Sequence, residues 1–213
     1  MNQVFENNTP LKSLRNFYNT YQKAILFLTI FLIFIMAAYL FNIQTTKKNN
    51  EKAAEIYNQW ITQETETEEG QKISNQFFEE LTNSYLSSGY SMIAILNKAT
   101  QDAREGDLQE SYRKFILLKK MSDGFRGDKL FNKIARINLA RILLVQEKFD
   151  DALNVLDIYK SSNDAFIHEI IGDILSGQDK KDLAIEQYNI AKQNYTNEAS
   201  ISIVAMKISN LSI

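Results

Sequence analysis

The chain has 213 residues with 24 basic and 26 acidic side chains, a net charge of −2, and no cysteine. The lack of cysteine excludes disulfides, thiolate metal sites and cysteine nucleophiles. Because the basic residues are not clustered, the chain also lacks the electrostatic footprint of a nucleic-acid-binding protein, and nucleic acid is not an expected partner. The single proline, Pro10, indicates that the chain is helical, since sheets and long loops usually need proline in their turns.

An apolar run near the start of the chain predicts a membrane-spanning helix. The run Ala24–Phe41 has eighteen residues and no charge. As a helix it is roughly 27 Å long, close to the ~30 Å hydrocarbon thickness of a bilayer, and we predict a span at 24–43 after a tail at 1–23. A cleavable signal peptide, the alternative, has a shorter apolar core and small residues at its cleavage site, where this chain has Tyr39 and Phe41.

The charges that flank the predicted span do not indicate its orientation. Lysine and arginine near a span are enriched on the cytoplasmic side, which makes their distribution the usual guide to topology. Here three such residues come before the span and three after it: Lys12, Arg15, Lys23, Lys47, Lys48 and Lys52. Charge counting therefore leaves both topologies open.

A polar segment at 44–70 is predicted to form a stalk helix and an acidic linker. Its first part carries one apolar stripe at helical spacing, which predicts a helix that docks on the following domain: Ala53, Ile56, Tyr57 and Trp60. Its last part, 64–70, is rich in glutamate. Alternating carboxylates without a turn-forming loop do not converge on a metal ion, so we interpret this part as a solvated loop or a helix start.

The remaining residues, 71–213, contain an internal repeat. One set of residues matches the tetratricopeptide pattern of about 34 residues: His168, Ile171, Gly172, Leu175, Ala184, Tyr188 and Ala191. In that pattern Gly172 marks the close approach of two antiparallel helices, where a larger side chain would force them apart.

Two earlier units repeat the scheme. Corresponding small residues are Ser111, Ala152 and Ala184, which lie 41 and 32 residues apart, and the longer interval places an inserted loop at 122–129. Helix pairs of this kind bury their apolar faces only by stacking, and the segment 199–213 has the pattern of a capping helix. The predicted fold class is therefore all-α, with a single N-terminal transmembrane helix followed by a tetratricopeptide-like helical repeat solenoid.

Residues that could support catalysis are scarce. His168 is the only histidine, so a zinc site with a pair of histidines is excluded, and so is any catalytic site that needs more than one imidazole. The segment Gly124–Gly127 lacks the spacing and the Lys-Ser/Thr ending of a phosphate-binding loop. We expect no enzyme activity, no cofactor and no metal site, and we interpret His168 as structural.

Repeat solenoids of this kind bind partners on a concave face that the first helices of the repeats line. The repeat register places five polar side chains on that face as partner-binding candidates: Arg104, Asn138, Arg141, Glu169 and Asp173. An ordinary solvated helix surface is the alternative for each of them. Phe125, in the inserted loop, is a further candidate, with burial against the repeats as its alternative.

Three motifs carry a resemblance to a known family. The ending Met206–Ile213 is similar to the MKINNLSI-like end of the YfgM-type ancillary SecYEG translocon subunits, and Arg136–Arg141 and Phe149–Asp157 resemble two of that family's internal motifs. The resemblance implies an inner-membrane protein with a cytoplasmic tail and periplasmic repeats. It also implies that the partners are SecYEG, the membrane-anchored chaperone PpiD and emerging polypeptides, which the protein helps to pass to periplasmic chaperones. A membrane-tethered tetratricopeptide scaffold of another cell-envelope complex is the alternative function.

Overall fold

The structure, a computed structural model, describes residues 10–125 and 127–212. The part of the predicted tail before Pro10 lies outside these residues. The described residues form nine α-helices, a short 3₁₀ helix and no strand, which confirms the all-α prediction. The helices are α1 Pro10–Thr62, α2 Glu68–Ser84, α3 Gly89–Glu105, α4 Leu108–Met121, α5 Lys129–Val145, α6 Phe149–Leu156, α7 Ala165–Gly177, α8 Lys181–Asn194 and α9 Glu198–Leu211, with the 3₁₀ helix at Asp157–Tyr159.

The chain divides between Lys52 and Ala53 into two compact units, which we describe separately. In the first unit α1 carries the apolar run Ala24–Phe41, and nearly all side chains of that run are exposed. By length and composition, α1 is able to cross a membrane. A helix with this much exposed apolar surface is costly in water and favourable in a bilayer, in agreement with the predicted span.

The second unit begins with the last residues of α1. Ala53 and Ile56 are buried in one cluster with Leu81 of α2 and Ala94 of α3. The predicted apolar stripe of the stalk therefore packs within this unit. Trp60 belongs to the same cluster and adds an aromatic contact with Phe78, with ring centroids 5.9 Å apart.

The acidic segment ends at the start of α2. The side chain of Thr67 accepts a hydrogen bond from the backbone N–H of Gly70 at 3.0 Å, and Glu68 and Glu69 lie in the first turn. A hydroxyl cap and two carboxylates at the positive end of the helix dipole both stabilise a helix start. The glutamates at the end of this segment thus have a structural reason.

Three helix pairs follow, α3–α4, α5–α6 and α7–α8, and α9 packs against the last pair. The two helices of every pair are joined by the same turn. In each turn a backbone N–H bonds to the carbonyl five residues earlier: Asp107 to Asp102 at 2.8 Å, Lys148 to Leu143 at 2.9 Å and Lys180 to Leu175 at 2.9 Å. This is the hydrogen bond that closes a helix through a left-handed residue.

The left-handed residue of each turn gives an independent measure of the repeat register. These residues are Gly106 with φ 87°, Glu147 with φ 57° and Asp179 with φ 59°. They lie 41 and 32 residues apart (147 − 106 and 179 − 147), the same intervals that the small residues Ser111, Ala152 and Ala184 give in the sequence. The predicted repeats and the extra residues between the first two are therefore both present.

Two glycines mark close contacts between helices, one within a pair and one between neighbouring pairs. A Cβ atom added to Gly172 would lie 2.5 Å from Cε1 of Tyr188, so α7 and α8 touch through the glycine as predicted. A Cβ atom on Gly177 would lie 2.5 Å from Cε1 of Phe149. The second glycine lets α6 of one repeat approach α7 of the next, a contact that the sequence analysis did not foresee.

Candidate binding groove

A groove of about 670 Å³ runs along the second unit, which we call the repeat groove. Most of its lining comes from α3, α5 and α7, the first helices of the three pairs. The lining residues are Thr100, Ala103, Arg104, Leu108, Phe115, Asn138, Arg141, Ile142, Leu144, Val145, Phe166, Glu169, Ile170 and Asp173. All five polar candidates from the repeat register, Arg104, Asn138, Arg141, Glu169 and Asp173, are among them.

Repeat geometry explains why these side chains converge. Ala140 and Gly172 occupy the buried small position of α5 and α7, and the next residue in each helix, Arg141 or Asp173, faces the groove. A position that repeats along a stack of similar helix pairs returns to the same face of the stack. The groove is thus a direct product of the repeat.

The two groove arginines differ from the two groove carboxylates in their surroundings. Arg104 and Arg141 are exposed. Within the described residues neither guanidinium forms an ion pair or a side-chain hydrogen bond. Asn138 is half-buried, and its amide nitrogen donates to the carbonyl of Ile134 at 2.9 Å, which leaves its amide oxygen and its second N–H for a ligand.

The carboxylates belong to a network that we call the polar clasp, formed by Glu169, Asp173, Tyr188, Tyr195 and Lys207. The Lys207 ammonium lies 2.7 Å from Oε1 of Glu169 and 2.7 Å from Oδ1 of Asp173. Tyr188 donates to Asp173 at 2.7 Å and Tyr195 donates to Glu169 at 2.5 Å. Because the clasp joins α7, α8 and α9, it fastens the last helix to the third pair.

The polar clasp raises the pKa of each of its three hydrogen-bond donors. Burial alone would lower the pKa of Lys207, but its hydrogen bonds to Asp173 and Glu169 outweigh that effect and raise the pKa. Burial raises the pKa of Tyr188, and the hydrogen bond to Asp173 raises it further. Burial and the bond to Glu169 raise the pKa of Tyr195 in the same way. At neutral pH Lys207 is therefore an ammonium, and Tyr188 and Tyr195 are neutral phenols that donate hydrogen bonds.

Phe125 lies apart from the groove, in the connection between α4 and α5. Its side chain is fully exposed, with a relative exposure of 104%, so the alternative of burial against the repeats is wrong. The preceding Gly124 has φ 88°, a left-handed conformation that gives the connection its sharp turn. Arg126, the next residue in this connection, lies outside the described residues.

His168 has a structural environment. It is buried, its Nε2 donates to the backbone carbonyl of Ser162 at 2.7 Å, and its Nδ1 shares a hydrogen bond of 2.7 Å with the side-chain amide of Gln187. The imidazole therefore links α7 to α8 and to the turn that precedes α7. Across residues 10–125 and 127–212, no three His, Cys, Asp or Glu side chains are grouped to bind a metal ion.

A second cavity of about 490 Å³ lies where the end of α1 meets α2 and α3. Trp60 and Phe78 contribute aromatic surface, and much of the remaining lining is amide: Gln63, Gln71, Asn75, Asn97 and Gln101. The sequence analysis did not identify this cavity, because its residues come from three helices with no repeat relation between them.

The sequence analysis also did not identify two apolar groove residues or the polar clasp. Val145 and Phe166 are 69% and 41% exposed, and a large exposed side chain beside a polar groove is a signal of a contact surface. Their positions off the buried stripes of α5 and α7 could have revealed them. Lys207 gave no such signal, since it lies 38 residues from Glu169 and 34 from Asp173.

Comparison with known proteins identifies a family model and a relative that are similar to this chain. The family model described as tetratricopeptide repeat-like domain matches residues 15–213. A protein of Neisseria gonorrhoeae (strain ATCC 700825 / FA 1090) named "Ancillary SecYEG translocon subunit" is 27% identical over 192 residues, which are 85% of this chain and 88% of the relative. No solved structure gives a significant match.

The match of the family model extends over almost the whole chain, from α1 through α9. The similarity to the Neisseria protein confirms the resemblance drawn from the sequence motifs to the YfgM-type family. On these grounds the chain belongs to the tetratricopeptide repeat-like domain family.

Proposed function

We propose that this protein is a membrane-anchored accessory subunit of the SecYEG translocon that acts by binding other proteins. The observation that carries the proposal is the similarity over 85% of the chain to a protein named as an ancillary translocon subunit. The repeat groove supports it, because a groove lined by stacked helix pairs is suited to holding a polypeptide segment. In this proposal the protein is a scaffold and catalyses no reaction.

The proposed role is assistance to proteins that leave the channel. The repeat groove receives an emerging or unfolded segment, and association with PpiD brings that segment to the periplasmic chaperones. Tethering near the channel raises the effective concentration of groove and client without new contacts, by factors of about 10² or more. Weak binding of a client in the repeat groove is therefore adequate for this role.

The proposed location is the inner membrane, with a cytoplasmic tail at 1–23, a span at 24–43, a stalk and linker at 44–70 and the repeats at 71–213 in the periplasm. The exposed apolar run of α1 supports the proposed span, and the similarity to a protein named as a translocon subunit supports the proposed membrane location. This topology keeps the repeats on the side where translocated chains emerge.

Co-purification tests the translocon assignment. We expect the tagged full-length chain, extracted in mild detergent, to enrich SecY and PpiD over a control with an unrelated single-span protein that carries the same tag. If neither protein is enriched while another envelope complex comes down reproducibly, the chain is a scaffold of that complex and the translocon proposal is wrong.

Thiol labelling tests the topology, since the chain has no cysteine of its own. Ser161 is exposed in the turn before α7 and is a suitable site for a single Ser161→Cys variant. A reagent that does not cross the inner membrane should label it once the outer membrane is permeabilised. A matched Asn7→Cys variant should react only after inner-membrane lysis. The reverse pattern would place the repeats in the cytoplasm.

A further inference from the structure

The basic and the acidic side chains of the repeat groove differ in how far they are free to bind a ligand. By sequence the groove is balanced, with Arg104 and Arg141 against Glu169 and Asp173. In the structure, Lys207 contacts both carboxylates at 2.7 Å, and two tyrosine hydroxyls donate to them as well. Lys207 therefore balances one of the two negative charges, and the tyrosine hydroxyls satisfy further carboxylate oxygens, so the groove and the clasp together carry three cations against two carboxylates.

The arginines have no such compensation within the described residues. Both side chains are exposed, and no acidic side chain pairs with them. An arginine presents several N–H donors in a planar fork that fits a carboxylate, and it keeps its charge at any physiological pH. The free charge that the groove offers to a ligand is thus positive.

Apolar surface completes the groove. Val145 and Phe166 are 69% and 41% exposed, and the buried side chains of Ile142 and Ile170 also line the groove. Val145 is four residues after Arg141 on α5, which places the two side chains on neighbouring positions of one helix face. A ligand that contacts Arg141 can therefore contact apolar groups at the same time.

We propose that the repeat groove selects polypeptide segments that carry carboxylates next to apolar side chains. This inference rests on the proposed function, because it specifies which polypeptides the groove receives. Arg104 and Arg141 bind the carboxylates, while Val145 and Phe166 cover the apolar side chains. A segment with lysines in place of the carboxylates meets two unpaired arginines and is rejected by like-charge repulsion.

The experiment uses the full-length chain in nanodiscs and short fluorescein-labelled peptides composed of Glu, Leu and Ser. Two matched peptides have Lys or Gln in place of every Glu. We expect the Glu peptide to bind about tenfold more tightly than the Lys peptide, with the Gln peptide between them, since each exposed ion pair adds only modest affinity. The difference should shrink from about 0.05 M to about 0.5 M salt, because screening weakens exposed pairs.

Two double variants identify the residues that select the ligand. Arg104→Gln/Arg141→Gln should abolish the preference for Glu over Lys. Lys120→Gln/Lys192→Gln removes the same charge from α4 and α8, outside the groove, and should keep the preference. All four side chains are exposed and form no ion pair within the described residues, so unchanged circular dichroism is expected for both variants.

The outcomes separate this inference from the proposed function. If all three peptides bind equally and Phe166→Asn weakens them all, the groove binds polypeptide but does not select carboxylates, and the inference is wrong. If no peptide binds while SecY still co-purifies, the inference is again wrong, and the subunit acts through another surface. If the lysine control also loses the preference, overall charge rather than Arg104 and Arg141 is responsible.

Discussion

Replacing Gly172 with leucine should destabilise the second unit by about 1–3 kcal/mol, the usual cost of overpacking a buried contact. A first side-chain atom at this position would lie 2.5 Å from Cε1 and 2.6 Å from Cδ1 of Tyr188. That ring has little freedom to move, because it is 3% exposed and its hydroxyl donates to Asp173. The two helices would have to separate.

Chemical unfolding of the full-length chain in detergent, followed by circular dichroism and by Trp60 fluorescence, measures this effect. Gly172→Ala should also lower stability, although alanine favours a helix over glycine by about 1 kcal/mol. Gly89→Ala is the matched control: an added Cβ atom there has no neighbour within 4 Å, so no loss is expected. An unchanged unfolding midpoint for Gly172→Leu would show that α7 and α8 do not touch at this glycine.

Replacing Lys207 with methionine should loosen α9 from the third pair. The substitution leaves Glu169 and Asp173 as two partly buried carboxylates without their cation, and a cost of about 1–3 kcal/mol is expected for side chains of this partial exposure. Hydrogen exchange in α9 should accelerate more than in α5. Lys192→Met is the control, since that lysine is exposed and forms no ion pair within the described residues.

The same pair of variants predicts a pH dependence. The folded-state pKa of Lys207 lies above its ordinary value of 10.5, so its contribution to stability is complete below pH 10.5 and is lost as the pH rises through the folded-state value. The stability difference between parent and Lys207→Met should therefore be constant near neutral pH and shrink in strong alkali. A difference that grows there would mean that Lys207 is not held as a cation.

The helices and their repeat were predictable because they rest on local patterns. Ser111, Ala152 and Ala184 fixed the register, and the three left-handed turns reproduce their spacing. Gly172 was informative because a glycine inside a helix is costly unless a close contact needs it. The five polar groove residues followed from that register alone.

The state of the groove charges was not predictable. Glu169 and Asp173 read as free groove residues, yet Lys207 and two tyrosines occupy their oxygens. Those contacts depend on how α9 packs against the third pair, which no short-range pattern encodes. Reversing the charge of Glu169 or Asp173 would therefore disturb the fold as well as the groove, whereas changing Arg104 or Arg141 removes no ion pair or side-chain hydrogen bond among the described residues.

The repeated turn makes the length of the array adjustable. The turns Gln146-Glu147-Lys148 and Gln178-Asp179-Lys180 differ in one acidic side chain, and both place that residue in the left-handed conformation. A tandem copy of residues 147–178 would follow Gln178 with Glu147 and Lys148, so each junction would keep its native turn chemistry. The groove could then be lengthened by one helix pair per copy while α9 still closes the end, and the reach of the domain becomes a variable that evolution or an engineer can set in steps of one module.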